Sequence, residues 1–162
     1  MVIHEGHRAR MRQQIELFGL DSLSDVQFLE VALYQVIPRG DTNELAHRLL
    51  TQFGSLSGVL EASRTALLEV EGVGARTADF LQLFLQMERR HMICRAGQDL
   101  ILDSTDKCGR YLLPYFLGEH EEVVWLLCLD GKCKMLDCRL IHRGAVNTAG
   151  ISVRKIVKTA LD

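Results

Sequence analysis

Gly72-Val73-Gly74 stands between two stretches of helical pattern, and it restricts the backbone more tightly than any other part of the chain. Two glycines around one aliphatic residue permit a tight turn, because glycine takes positive φ at little steric cost. Leu67, Leu68 and Val70 end the segment before the turn, and Ala78 lies four residues past Gly74. The spacing predicts a Val73 that points inward and pins the corner to a core. It also predicts a helix starting at about Ala75. The first N–H groups of such a helix have no partner inside it, so they form a ready anion site. Arg76 and Thr77 fall in its first turn and add side-chain donors.

This is the pattern of a helix-hairpin-helix, which suits a DNA phosphate. The plainer alternative is an economical corner between helices, and a motif this short has real false-positive risk. The acidic neighbours Glu69, Glu71 and Asp79 work against an anion. Upstream, Ile37-Pro38-Arg39-Gly40-Asp41-Thr42-Asn43 lies between two helical segments in the same way. It reads as a degenerate first copy with one glycine. Arg39 and Asn43 are its candidate phosphate contacts, and Asp41 reads as ordinary loop.

Residues 4–97 read as helices throughout. Ser24 can cap one over Phe28, Leu29, Val31, Ala32 and Leu33, and Thr42 or Asn43 the next, which Gly54 closes. Short helices follow at Leu56–Glu61 and 65–70, then a long one from Ala75 to about Cys94. The texture changes at Ala96-Gly97-Gln98-Asp99, which divides the chain into 1–97 and 98–162. Residues 104–116 form a helix capped by Ser104. Residues 122–129 and 133–141 are strands joined at Asp130-Gly131. Residues 152–161 form a last amphipathic helix capped by Ser152.

Charge narrows the partners. The net charge is −2, with 10 Lys+Arg against 12 Asp+Glu in residues 1–97 and 9 against 9 in 98–162. DNA contact must then come from a local site and be weak and non-specific. The longest apolar run, Val123–Leu129, has seven residues, too few to cross a bilayer, and the N-terminal residues lack the apolar core of a signal peptide. The five cysteines are odd in number and form no C-x-x-C pair. Reduced thiols and a cytoplasmic location follow as expectations, with Cys128, Cys133 and Cys138 as small apolar fillers.

Gly6-His7-Arg8-Ala9-Arg10-Met11-Arg12, Ile37 to Asn43, and Phe53-Gly54-Ser55-Leu56-Ser57-Gly58-Val59-Leu60-Glu61-Ala62 resemble the helical half of the bacterial RadC-like family. Glu122 before Leu129-Asp130, then Gly144-Ala145-Val146-Asn147 and Val153-Arg154-Lys155-Ile156, resemble the opening of that family's MPN (JAMM) domain. The family has Gly-Thr-Val-Asn and Pro-Arg-Glu-Val at the last two places. The resemblance implies an α+β chain: an all-helical tandem helix-hairpin-helix module, then the first part of an α/β/α MPN domain. In the intact family two His and one Asp hold Zn²⁺, and a Glu at the place of Glu122 deprotonates the metal-bound water. The chain stops at Asp162, before that His-x-His-Pro-Ser-Gly segment. The expectation is a Glu122 without metal partners, no metal site in this chain, and none of the six His as a substitute ligand. Three functions compete: a DNA-repair-associated DNA-binding protein, a fragment of a JAMM-type zinc metallopeptidase or isopeptidase, and an interaction module that associates, with itself among others, through an open sheet edge.

Overall fold

The computed structural model describes residues 3–96, 100–144 and 152–161. Among these the fold is α+β, with eight helices, one 3-10 turn and a two-stranded antiparallel sheet. Its contacts divide the chain into Met1–Leu85 and Gln86–Asp162.

The first unit is helical: α1 (Ile3–Phe18), α2 (Asp25–Leu33), α3 (Thr42–Phe53), α4 (Leu56–Glu61), α5 (Arg64–Leu68) and the opening turns of α6 (Ala75–Ala96). Local chemistry sets most helix starts. Ser24 and Gln27 form a reciprocal capping box at α2, while Ser55 and Ser63 cap α4 and α5. Gly54 closes α3 at φ 80°, the left-handed position expected of it. The cap of α3 differs from expectation. Asp41 holds it, not Thr42 or Asn43, and its Oδ1 accepts the Asn43 and Glu44 amides at 2.9 and 3.1 Å. A carboxylate one residue ahead reaches both amides and also favours the positive end of the helix dipole. Thr42 is left inside the helix and buried.

Leu29, Leu33, Leu49, Val59, Leu67 and Leu81 are completely or almost completely buried together. Each such side chain contributes roughly 1.5–3 kcal/mol of apolar burial. In α6 the core takes Ala78, Leu81 and Leu85, whereas Leu83 is exposed. An i, i+3, i+7 stripe fits a 3.6-residue period, and Leu83 falls off it.

The second unit holds the later turns of α6, α7 (Thr105–Phe116), β1 (Val123–Leu129), β2 (Met135–Arg143) and α8 (Val153–Leu161). Ser104 and Ser152 accept the Lys107 and Lys155 amides and so start α7 and α8. Glu119 is nearly buried and accepts Arg89 at 2.9 Å and Arg143 at 2.8 Å, which joins α6 to the end of β2. Tyr115 packs edge-on against Trp125, ring centres 4.8 Å apart, and fixes α7 over the hairpin. Arg139 donates to the Thr159 carbonyl and holds α8 against β2.

The turn forms where Asp130-Gly131 predicts it, but a different residue bears the conformational cost. Cys133, not Gly131, takes the left-handed conformation, at φ 60°. The Cys133 amide donates to the Asp130 carbonyl at 3.0 Å, and Asp130 Oδ1 accepts the Lys132 and Lys134 amides, both at 2.8 Å. This is a three-residue loop, a turn followed by one left-handed residue. It uses up Cys133, so β2 begins at Met135 rather than 133. Residues 100–102 pair beside the start of β2, with Leu102 donating to the Cys133 carbonyl at 2.7 Å and Met135 to the Leu100 carbonyl at 2.9 Å. The expected open edge is therefore covered at that end. No helix among the described residues is long and apolar enough to cross a membrane. The expected boundary at 97–99 and the family-like segment 145–147 lie outside the described residues.

Candidate nucleic-acid interface

The second corner has the geometry that its glycines predict. Gly72 sits at φ 94°, and Val73 is buried with its amide donating to the Val70 carbonyl at 3.0 Å. Gly74 accepts the Thr77 and Ala78 amides, both at 3.0 Å, and is the N-cap of α6. A glycine has no side chain with which to cap, so the first amides of α6 are left to solvent or ligand. Arg76 is exposed in the first turn, while Thr77 is only 5% exposed and belongs to the core. The corner is held from α3. Arg48 donates to the Glu71 carbonyl at 2.9 Å and to Glu44 at 2.6 Å. Glu69 and Glu71 are exposed beside it, and Asp79 is paired with Arg64 at 2.6 Å.

The first corner, residues 34–41, is organised differently. Its following helix, α3, is already capped by an anion of the chain itself, Asp41. Arg39 is exposed. Asn43 is half-buried and gives its side-chain amide to Glu30 at 2.9 Å. Glu30 is 2% exposed and also accepts Tyr34 Oη at 2.7 Å. His7 Nε2 lies 3.1 Å from its other contact, Glu30 Oε1. Burial alone would push the Glu30 carboxyl up. The donors Asn43, Tyr34 and His7 outweigh that and hold it below the ordinary range. Burial, then the bond to Glu30, pushes the Tyr34 phenol up.

Sequence reasoning missed Glu30, His7, Tyr34 and Arg48. One signal was available for Glu30: with Val26, Leu29 and Leu33 it lies on the apolar stripe of α2, where a charge needs partners. No comparable signal marks His7, which is 23 residues away from Glu30.

Glu122 is exposed just before β1, and its carbonyl accepts the Gly144 amide at 2.9 Å. Among the described residues no three His, Cys, Asp or Glu side chains gather as a metal site, so these residues do not fit the zinc ion that the resemblance implies. The five cysteines are free. Burial pushes the Cys138 thiol up to about 11, which suits a packing residue rather than a reactive thiolate.

The class that these features define is an α+β protein with a RadC-like JAB region: the family model described as "RadC-like JAB domain" matches residues 102–162. A UPF0758 protein of Ectopseudomonas mendocina (strain ymp) is 33% identical over 152 residues, 94% of this chain and 68% of the relative. UPF0758 proteins of Pseudomonas fluorescens (strain SBW25) and Pseudomonas putida (strain W619) are 32% and 34% identical over 94% of this chain and 68% and 67% of theirs. No solved structure matches. The chain belongs to the RadC family of UPF0758 proteins.

Proposed function

We propose that the helical unit is a tandem helix-hairpin-helix module that binds DNA through its phosphates, weakly and without sequence preference, in a protein associated with DNA repair. One observation carries this reading. The N-terminus of α6 follows a glycine corner, has no side-chain cap and presents Arg76 in its first turn. Backbone amides of Gly74, Ala75 and Arg76 take one phosphate, and the Arg76 side chain adds a charged donor. Arg39 supplies a contact at the first corner. Asn43 acts there indirectly, by ordering α3 against Glu30.

Fluorescence anisotropy with duplexes of unrelated sequence tests it. Affinity should fall steeply with salt and differ little between sequences. Arg76→Glu should weaken binding to all duplexes alike. Unchanged binding by that variant removes the second corner from the interface.

The family match also favours a second reading for residues 102–162, a JAB-type metallopeptidase or isopeptidase region. For the chain 1–162 by itself we propose no hydrolysis, since the described residues offer Glu122 but no ligand set.

A further inference from the structure

The helical unit holds a cleft of about 230 Å³. Arg8 and Arg10 line it from α1, Glu30 from α2, and Asp41, Thr42 and Asn43 from the start of α3. Two of these polar side chains are buried, Glu30 and Thr42, each 2% exposed. They differ in how far they are satisfied. Glu30 accepts from His7, Tyr34 and Asn43. The Thr42 hydroxyl has no hydrogen-bond partner among the described residues. A buried hydroxyl without a partner costs free energy, and a ligand in the cleft would restore the bond.

Three neighbours also have bonding capacity left over. Asp41 Oδ1 takes both the Asn43 and Glu44 amides, so Oδ2 remains. Asn43 gives its side-chain amide to Glu30, so its Oδ1 remains as an acceptor. Arg10 is exposed, and its guanidinium pairs with no described carboxylate. The start of α3 thus offers two acceptors and a hydroxyl, while α1 offers a forked donor. Arg8 adds a fixed plane. It is held by the Ile37 and Pro38 carbonyls at 3.0 Å and by the Tyr34 ring, 4.4 Å away. Guanidinium planes of this kind stack on bases.

We propose that this cleft binds a guanine base, either of a free nucleoside or of an unpaired nucleotide in DNA. The N1–H and 2-amino groups of guanine donate to Asp41 Oδ2 and Asn43 Oδ1. Its O6 and N7 accept the two arms of Arg10, the pairing that suits a planar fork. The Thr42 hydroxyl donates to the second lone pair of O6. Adenine and cytosine present a ring-nitrogen acceptor where guanine presents N1–H, and so turn a lone pair toward the Asp41 carboxylate. The cleft then selects by repulsion as well as by bonds. A guanine paired with cytosine has N1–H, the 2-amino group and O6 already engaged, so only an unpaired base fits. The contacts are to the base alone and need no phosphate at either corner.

The test is calorimetric titration of the full chain with guanosine, which carries no phosphate, beside inosine, adenosine and cytidine. Guanosine should bind at one site. Inosine lacks only the 2-amino group and should bind about 10-fold more weakly. Adenosine and cytidine should give no binding. Thr42→Val removes the hydroxyl and keeps the branched shape, and Arg10→Gln removes an exposed fork. Both should keep the natural unfolding temperature and weaken guanosine, by about 5-fold and about 10-fold. Equal binding of adenosine and guanosine overturns the proposal, as does guanosine binding that neither variant alters. Anisotropy with a duplex carrying one unpaired guanine, against the same duplex fully paired, decides the source of the base. A preference for the unpaired guanine that Thr42→Val removes assigns it to DNA. Guanosine binding without that preference assigns it to a free nucleoside. Neither guanosine binding nor the preference overturns the proposal outright.

Discussion

Asn43 donates its side-chain amide to the buried carboxylate of Glu30 at 2.9 Å, and so ties the start of α3 to the middle of α2 across the first corner. His7 brings α1 to the same carboxylate. Three helices thus share one buried charge. Such a charge is tolerated only where its lone pairs are satisfied, and loss of its acceptors strands several donors at once.

Glu30→Gln should therefore destabilise the helical unit by about 2–3 kcal/mol, the cost of leaving buried donors imperfectly matched. The same carboxylate predicts a pH dependence. Its pKa is lower in the folded chain than the ordinary 4.5, so the unfolded chain binds the extra proton first. Stability is then fully present above pH 4.5 and is lost as pH falls through the folded value. Urea unfolding between pH 3 and 7 should show this loss in the natural chain and a smaller one in Glu30→Gln. Parallel pH profiles would mean that Glu30 does not carry the effect.

Gly72 and Gly74 look alike in the sequence but should not respond alike. Gly72 is at φ 94°, and a Cβ there would meet Leu45 Cδ1 at 3.4 Å. At Gly74 φ is not positive and nothing lies within 4 Å of a Cβ. Gly72→Ala should cost about 1–2 kcal/mol from the left-handed backbone. Gly74→Ala should change stability by no more than about 0.5 kcal/mol. Thermal unfolding of the two variants decides the point, and equal losses would contradict the assignment.

What was legible in the sequence was local. Ser24, Ser104 and Ser152 announce their helices, because a hydroxyl reaches an amide three residues on. Gly54 and Gly72 announce turns, because few other residues tolerate their φ. The Leu29–Leu33 stripe of α2 also reads directly. Asp41 was obscured by equally good cap formers directly after it, and the choice depended on whether Thr42 was buried. The Glu30 hub was obscured for a different reason. Its partners come from α1, α2 and α3, and no spacing rule spans a separation of 23 residues. The contact of Arg8 with the Ile37 and Pro38 carbonyls has the same origin, since α1 meets these residues only after folding.

Cys133 is the one non-glycine residue with positive φ among the described residues. A side chain in that region costs roughly 1–2 kcal/mol. Cys133→Gly should recover about 1 kcal/mol and raise the unfolding temperature of the second unit, while Gly131→Ala should be nearly neutral. A destabilised Cys133→Gly would show that the half-buried thiol contributes more by packing than the backbone loses.

Chain 1–162 should hold no stoichiometric zinc and cleave neither peptide nor isopeptide bonds. The reason is the lack of a three-ligand cluster among the described residues, with Glu122 exposed at the entry to β1. Elemental analysis after dialysis against zinc, together with a cleavage assay, checks this. One zinc per chain with turnover abolished by Glu122→Gln would overturn it.

The hairpin should also make the chain associate. Residues 100–102 cover the start of β2, but no other strand pairs with the outer edge of β1 among the described residues. That strand, Val-Val-Trp-Leu-Leu-Cys-Leu, carries no charge to discourage pairing. Leu136 and Leu140 of β2 and Val157 and Leu161 of α8 add exposed apolar surface in the same unit. Light scattering should show mass rising with concentration. Hydrogen exchange should show the Val123–Leu129 amides gaining protection as it does. A second copy adding its own β1 edge to edge would account for both. A monomer at every concentration, with β1 amides as protected as those of α6, would show that the edge is already closed within one chain.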